Sequence, residues 1–226
     1  MEPRVLVVGN SGDWSLAEVG KELDARGVRW ELLNTADFPI RMDMDARLEL
    51  TGDGWLGELV TGEVRVPLGE VTAVYYGKPT DFKLPVGLSG PELRFSRAQA
   101  RVGVGGVLAS LPARWVSHPS ALADASFKPQ QLSRLRRAGL TTPPTLITNK
   151  AAAVRDFAVS YGDLVVKPLA EPVVWEGGGE SVIYTRRMTH ADLDCLDGVE
   201  STAHLFQRVD RTTGRHAGVS WDNGAR

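Results

Sequence analysis

The chain has 226 residues, 42% of them hydrophobic and 24% charged, with a formal net charge of −2. At roughly 150 residues per domain this is about one and a half domains, long enough to bury a core without disulfides and too apolar to be wholly disordered. One cysteine, Cys195, excludes an internal disulfide or a multi-cysteine zinc site, and the near-neutral charge gives no reason to expect nucleic acid or an anionic membrane as partner.

The N-terminus offers no targeting signal: the apolar run at 5–8 (VLVV) is too short for a signal-peptide core. No stretch approaches the roughly 20 apolar residues of a membrane span. A cytoplasmic protein is expected. Residues 5–8 read as a buried strand, followed by a turn at 9–12 and a helix carrying Leu16, Val19 and Leu23 that Gly27 stops. Residues 30–33 read as the next strand. This β-α-β opening suits a parallel sheet, because the crossover helix covers one face.

The middle alternates polar and apolar residues at 47–51, 56–60 and 63–66, which predicts an antiparallel meander. Residues 71–76 read as a more buried strand. The string SGPE at 89–92 is a capping box, opening a helix that runs to about Leu111. Gly103, Gly105 and Gly106 inside that helix are expected to permit close packing, and no dinucleotide fingerprint is present.

A second unit is expected from Arg114. It holds a short strand at 115–118, a basic helix at 128–138, a strand at 145–148 and a helix capped by Asn149 and closed by Gly162. A strand at 163–168 carries Lys167 near its end. A glycine-rich turn at 176–180 leads to a strand at 182–185, then to a capping box at 189–192 and a last strand at 203–207. From Arg208 onward no period of 2 or 3.6 survives. The fold class is therefore α/β, with an α+β second unit, in three segments: 1–113, 114–207 and an aperiodic tail, 208–226, expected to be disordered.

Lys128 and Lys167 are the candidate anion ligands, since a lysine fixed at an element end is a good phosphate anchor. Each alone reads first as a surface lysine with its stem along apolar neighbours. Gly177, Gly178 and Gly179 could close backbone N–H groups over an anion or simply form a hairpin tip. Arg134, Arg136 and Arg137 read as a solvated helix face, as do Asp192, Asp194 and Asp197. His118, His190, His204 and His216 are too far apart in sequence for a recognisable metal or catalytic motif.

Several strings occur together in one order: WVSHP (115–119), DASFKPQQL (124–132), GLTTP (139–143), TLITN (145–149), VVKPL (165–169), VIYT (182–185) and TAHLFQ (202–207). In this the chain resembles the ATP-grasp ribosomal peptide maturases, the graspetide or microviridin-type ligases, particularly their actinobacterial branch. The resemblance implies a pre-ATP-grasp domain followed by an ATP-grasp fold, incomplete here. It implies ATP and Mg²⁺ as cofactors, and activation of Asp or Glu side chains of a ribosomal precursor peptide as acyl phosphates, giving macrocyclic esters or amides. By position, Lys128 and Lys167 would neutralise nucleotide phosphates, Gly177 to Gly179 would form the mobile loop over them, and the backbone around Gln207 would begin the hinge lining adenine. After Gln207, where relatives continue with Glu, stand Arg208, Val209 and Asp210 and the resemblance stops. The metal-binding subdomain is not found, so a truncated or frame-shifted copy is expected. The alternative is a catalytically incomplete relative that binds peptide or nucleotide. No catalytic residue or metal ligand is identified, homo-oligomerisation is left open, and Lys78, Asp81 and Phe82 are candidate leader-peptide contacts.

Overall fold

A computed structural model of the protein describes residues 4–62, 64–170, 173–176 and 179–209. The chain divides into two units, Met1–Ala123 and Asp124–Arg226.

Unit 1 is organised on β1 (Arg4–Val8), whose Leu6, Val7 and Val8 are all buried. Burial on both faces is what a central parallel strand requires. α1 (Trp14–Ala25) follows, started by Asp13, whose carboxylate accepts from the Ser15 hydroxyl and the Ser15 N–H and is held below the usual carboxylate range by them. The chain continues through β2 (Arg29–Leu33), β3 (Met42–Arg47), β4 (Leu56–Thr61), β5 (Val64–Pro67) and β6 (Val71–Tyr76) to α2 (Gly90–Ala109) and β7 (Arg114–Val116). Strands β2-β1-β6-β7 form a parallel sheet in that order, and β3-β4-β5 form the antiparallel meander. The capping box of α2 is formed: Ser89 accepts from the Glu92 N–H and Glu92 from the Ser89 N–H.

Three expectations for this unit need correction. The first meander strand is Met42–Arg47, not 47–51; it buries Met42, while Leu48 and Leu50 project into solvent beyond it. The Leu48/Leu50 alternation imitated a strand, and the true core residue is a methionine, a flexible filler with weak pattern. A Cβ added at Gly103, Gly105 or Gly106 would meet nothing within 4 Å, so these glycines do not serve close packing. Finally, β7 pairs in parallel with β6, and Trp115 packs on the first core, so the division falls after Ala123 rather than at 113. A three-residue strand carries no local sign of which sheet it joins.

The chain goes on through α3 (Pro119–Ala125), α4 (Lys128–Arg137), β8 (Thr145–Thr148), α5 (Ala151–Tyr161), β9 (Leu164–Lys167), β10 (Val173–Glu176), β11 (Gly179–Val182), β12 (Arg186–Arg187), α6 (His190–Asp194) and β13 (His204–Arg208). In unit 2, β12-β9-β13-β8 form a sheet in which β13 runs antiparallel to both neighbours, and β10-β11 form a separate antiparallel ribbon. Val154, Leu164, Leu196, Val199 and Phe206 make its core.

Here too the structure departs from expectation. Lys150, not Asn149, caps α5, and the Lys150 N–H donates to Thr148 Oγ1 at 3.0 Å. The strand expected at 182–185 ends at Val182, leaving Ile183 and Tyr184 exposed. Order does not stop at Gln207: Arg208 pairs with Leu164, its N–H donates to Pro144 O at 3.1 Å, and the Val209 N–H donates to Asp163 O at 2.8 Å. Neighbouring carbonyls, invisible to periodicity, hold these two residues; the rest of the tail lies outside the described residues. No helix among the described residues is long and apolar enough to cross a membrane.

Candidate nucleotide site

Strand register decides which predicted residues meet. In β9 and β13, Lys167 lies opposite Leu205 and Val165 opposite Gln207, while Gln207 lies opposite Thr145 of β8. Facing residues of an antiparallel pair share one face and alternate residues change face. Lys167, Gln207 and Thr145 therefore project from one side. Leu164, Val166, Phe206 and Leu146 project from the other, into the core under α5. The two candidate ligands share the face opposite this core, together with Leu205, which is itself buried.

Gln207 is buried, and its Nε2 donates to Thr145 Oγ1 at 3.0 Å, whose own hydroxyl donates to Pro143 O at 2.9 Å. This chain of bonds fixes the amide at the base of the face. Lys167 is half-buried at the carboxyl end of β9. Lys128, the first residue of α4, reaches the turn after β9: its Nζ donates to Leu169 O at 2.7 Å and Ala170 O at 3.4 Å. An ammonium carries three N–H donors, so one is left beyond these two carbonyls. Both lysines are thus anchored at the same end of β9. Gly179 begins β11 opposite Glu176 in the separate ribbon; Gly177 and Gly178 lie outside the described residues.

Thr145 escaped sequence reading, because only its register partner gives it a role. The arginines of α4 are exposed, as a solvated face requires, and two of them also make contacts within the unit. Arg134 pairs with Asp124 at 2.6 Å, holding that carboxyl below its usual range together with Gln130, and Arg136 Nε donates to Thr142 Oγ1 at 2.6 Å. Asp192 likewise does more than face solvent. It takes a two-pronged contact from Arg186 at 2.8 and 2.9 Å and closes the capping box with Thr189, which together drive its carboxyl far below the usual range. Lys78, Asp81 and Phe82 lie in unit 1, on the connection from β6 to α2, where Phe82 packs edge-on against Phe38.

No protein-family model matches the chain, and no curated protein matches it. Solved structures do. A Chryseobacterium gregarium RiPP-associated ATP-grasp ligase, in complex with ADP and a leader and core peptide, superposes with a TM-score of 0.83 at 22% identity over 91% of this chain. The macrocyclase MdnC of Microcystis aeruginosa, bound with precursor peptide MdnA, gives 0.79 at 29% identity over 91%. The ATP-grasp ligase PsnB, complexed with minimal precursor, gives 0.68 at 25% identity over 92%. The chain has the fold of the RiPP-associated ATP-grasp ligases. It spans 62%, 68% and 65% of the lengths of those three proteins.

Two groups implied by the ATP-grasp fold can be tested against the residues present. For a nucleotide the donor set fits, since two ammonium groups, Lys128 and the half-buried Lys167, stand at one end of β9. For Mg²⁺ it does not: no group of three His, Cys, Asp or Glu residues placed to hold a metal occurs among the described residues.

Proposed function

We propose that this chain is an ATP-dependent peptide ligase of the RiPP-associated kind, binding ATP on the β8–β13–β9 face. The observation that carries this reading is the placement of Lys167 and Gln207 on one face, with Lys128 tied to the turn beyond β9, within a fold like that of an ADP-bound ligase. Lys167 and the remaining donor of Lys128 offset the charge of the phosphates. ATP phosphorylates an Asp or Glu side chain of a ribosomal precursor peptide, releasing ADP. A Ser or Thr hydroxyl or a Lys amine of the same peptide then attacks the acyl phosphate, expelling phosphate and leaving a macrocyclic ester or amide. The donors for Mg²⁺ are not among the described residues, so no step is assigned to a metal here.

That same observation favours a second reading, a nucleotide- or peptide-binding relative without turnover. ADP release measured with and without an acidic precursor peptide separates the two. Stimulated release supports the ligase; peptide binding with no release supports the module. For the nucleotide face, Lys167→Ala is expected to raise the ATP dissociation constant at least tenfold, about 1.4 kcal/mol. An unchanged constant would remove Lys167 from the site.

A further inference from the structure

Unit 1 contains a cavity of about 710 Å³, within the roughly 300–1,000 Å³ usual for ligand pockets. Val8, Tyr76 and Trp115, at the carboxyl ends of β1, β6 and β7, line one side, and α2 lines the other. The chain leaves β1 for β2 on one flank and later places β6 on the other. In an open parallel sheet, the crevice at such a reversal is where ligands bind.

The wall on α2 is cationic. Arg94, Arg97 and Arg101 line the cavity, spaced i, i+3 and i+7 on one helix face. No carboxylate pairs with them among the described residues, although Asp81 lies in the opposite wall. Cα94 to Cα101 spans about 10.5 Å along a helix, too far for one small carboxylate; three alternate residues of an extended peptide span about 13 Å, a difference that flexible arginine side chains can take up. The remaining lining is largely apolar, with Leu108 further along α2 and Tyr76 and Trp115 on the strand side. An extended peptide shows alternate side chains on opposite sides. Acidic residues at every second position would meet the arginines while the intervening apolar residues meet the rings.

We propose that this cavity docks an extended peptide segment in which acidic and apolar residues alternate, its carboxylates on Arg94, Arg97 and Arg101. The inference deepens the peptide-ligase reading by giving the peptide a place on unit 1, and rests on that reading only for the choice of a peptide. Gly105 supplies a clean probe. It lines the cavity, and a Cβ there meets nothing within 4 Å, so Gly105→Leu fills the space while improving helix propensity.

The probe is a fluorescein-labelled peptide of sequence ELEFELE, with QLQFQLQ as its uncharged counterpart, followed by anisotropy on the full chain. Saturable binding of ELEFELE is expected, weakened at least tenfold by the glutamine exchange, by Arg97→Glu with Arg101→Glu, and by Gly105→Leu, with thermal melts showing that the variants fold. Lys167→Ala should leave it unchanged. Equal affinity for both peptides, no effect of either cavity variant, or no binding at millimolar protein overturns the site. A chain that takes ELEFELE but no ATP refutes the nucleotide reading and leaves this one standing.

Discussion

Arg4 shows how far a single residue's role can lie from its sequence setting. It precedes an apolar run and reads as a charged flank, yet it is buried in β1. Its guanidinium donates to Glu70 at 2.7 Å, to Glu31 at 3.2 Å and to the Arg65 carbonyl. Three segments far apart in the chain converge on one side chain, which no local pattern can encode. Hydrogen bonds to charged groups contribute about 1.5–3 kcal/mol each, but both glutamates keep solvent contact, which screens the gain. Arg4→Met should destabilise unit 1 by about 2 kcal/mol, read from urea unfolding; an unchanged midpoint would mean that solvent screens all three contacts.

At the scale of elements, the two capping boxes were legible; the cap of α5 and the strand ends were not. The boxes opening α2 and α6 follow from residue types three positions apart, and both are formed. The box on α6 has a pH consequence. Asp192 is held far below the usual carboxylate range by Arg186 and Thr189. Under acid, the unfolded chain takes up that proton while the folded chain does not. This contribution is therefore complete above about pH 4 and is lost as pH falls below it. Asp192→Asn should flatten the acid limb of stability between about pH 4 and 2 and lower stability at neutral pH, followed by urea midpoints across that range.

The meander shows why strands resist such reading. Gly57 within β4 has φ +120°, and a Cβ there would lie 2.1 Å from Asp45 O of β3. Alternation at 56–60 places this residue in a strand, but only the backbone facing it shows that it must be glycine. Gly57→Ala should cost at least about 2 kcal/mol in a denaturant titration, and a loss below about 0.5 kcal/mol would show that the two strands separate easily.

For the molecule as a whole, the division into units turns on β7. Trp115 stands 6.2 Å from the Tyr76 ring and 4.9 Å from the His118 ring, and belongs to the first core. A fragment of residues 1–123 should unfold cooperatively. One ending at 113 loses β7 and should be less stable by at least about 3 kcal/mol, the usual cost of deleting a packed tryptophan. Paired denaturant titrations of the two fragments decide this, and equal stabilities would return the boundary to 113.

The sequence by itself determined most of the helices and strands, the two capping boxes, the lysines at element ends and the likeness to peptide-maturing ATP-grasp ligases, but not α3, β10 or β12. Each depends on residues near one another in the chain or on strings in a fixed order. Tertiary structure decided that Lys167 and Gln207 share a face, that Lys128 bonds the turn after β9, that Arg208 and Val209 extend the sheet, and that Arg94, Arg97 and Arg101 border a cavity. These depend on strand pairing and register. A shift of one residue turns every side chain to the other face, and the partners that fix the register lie tens of residues away.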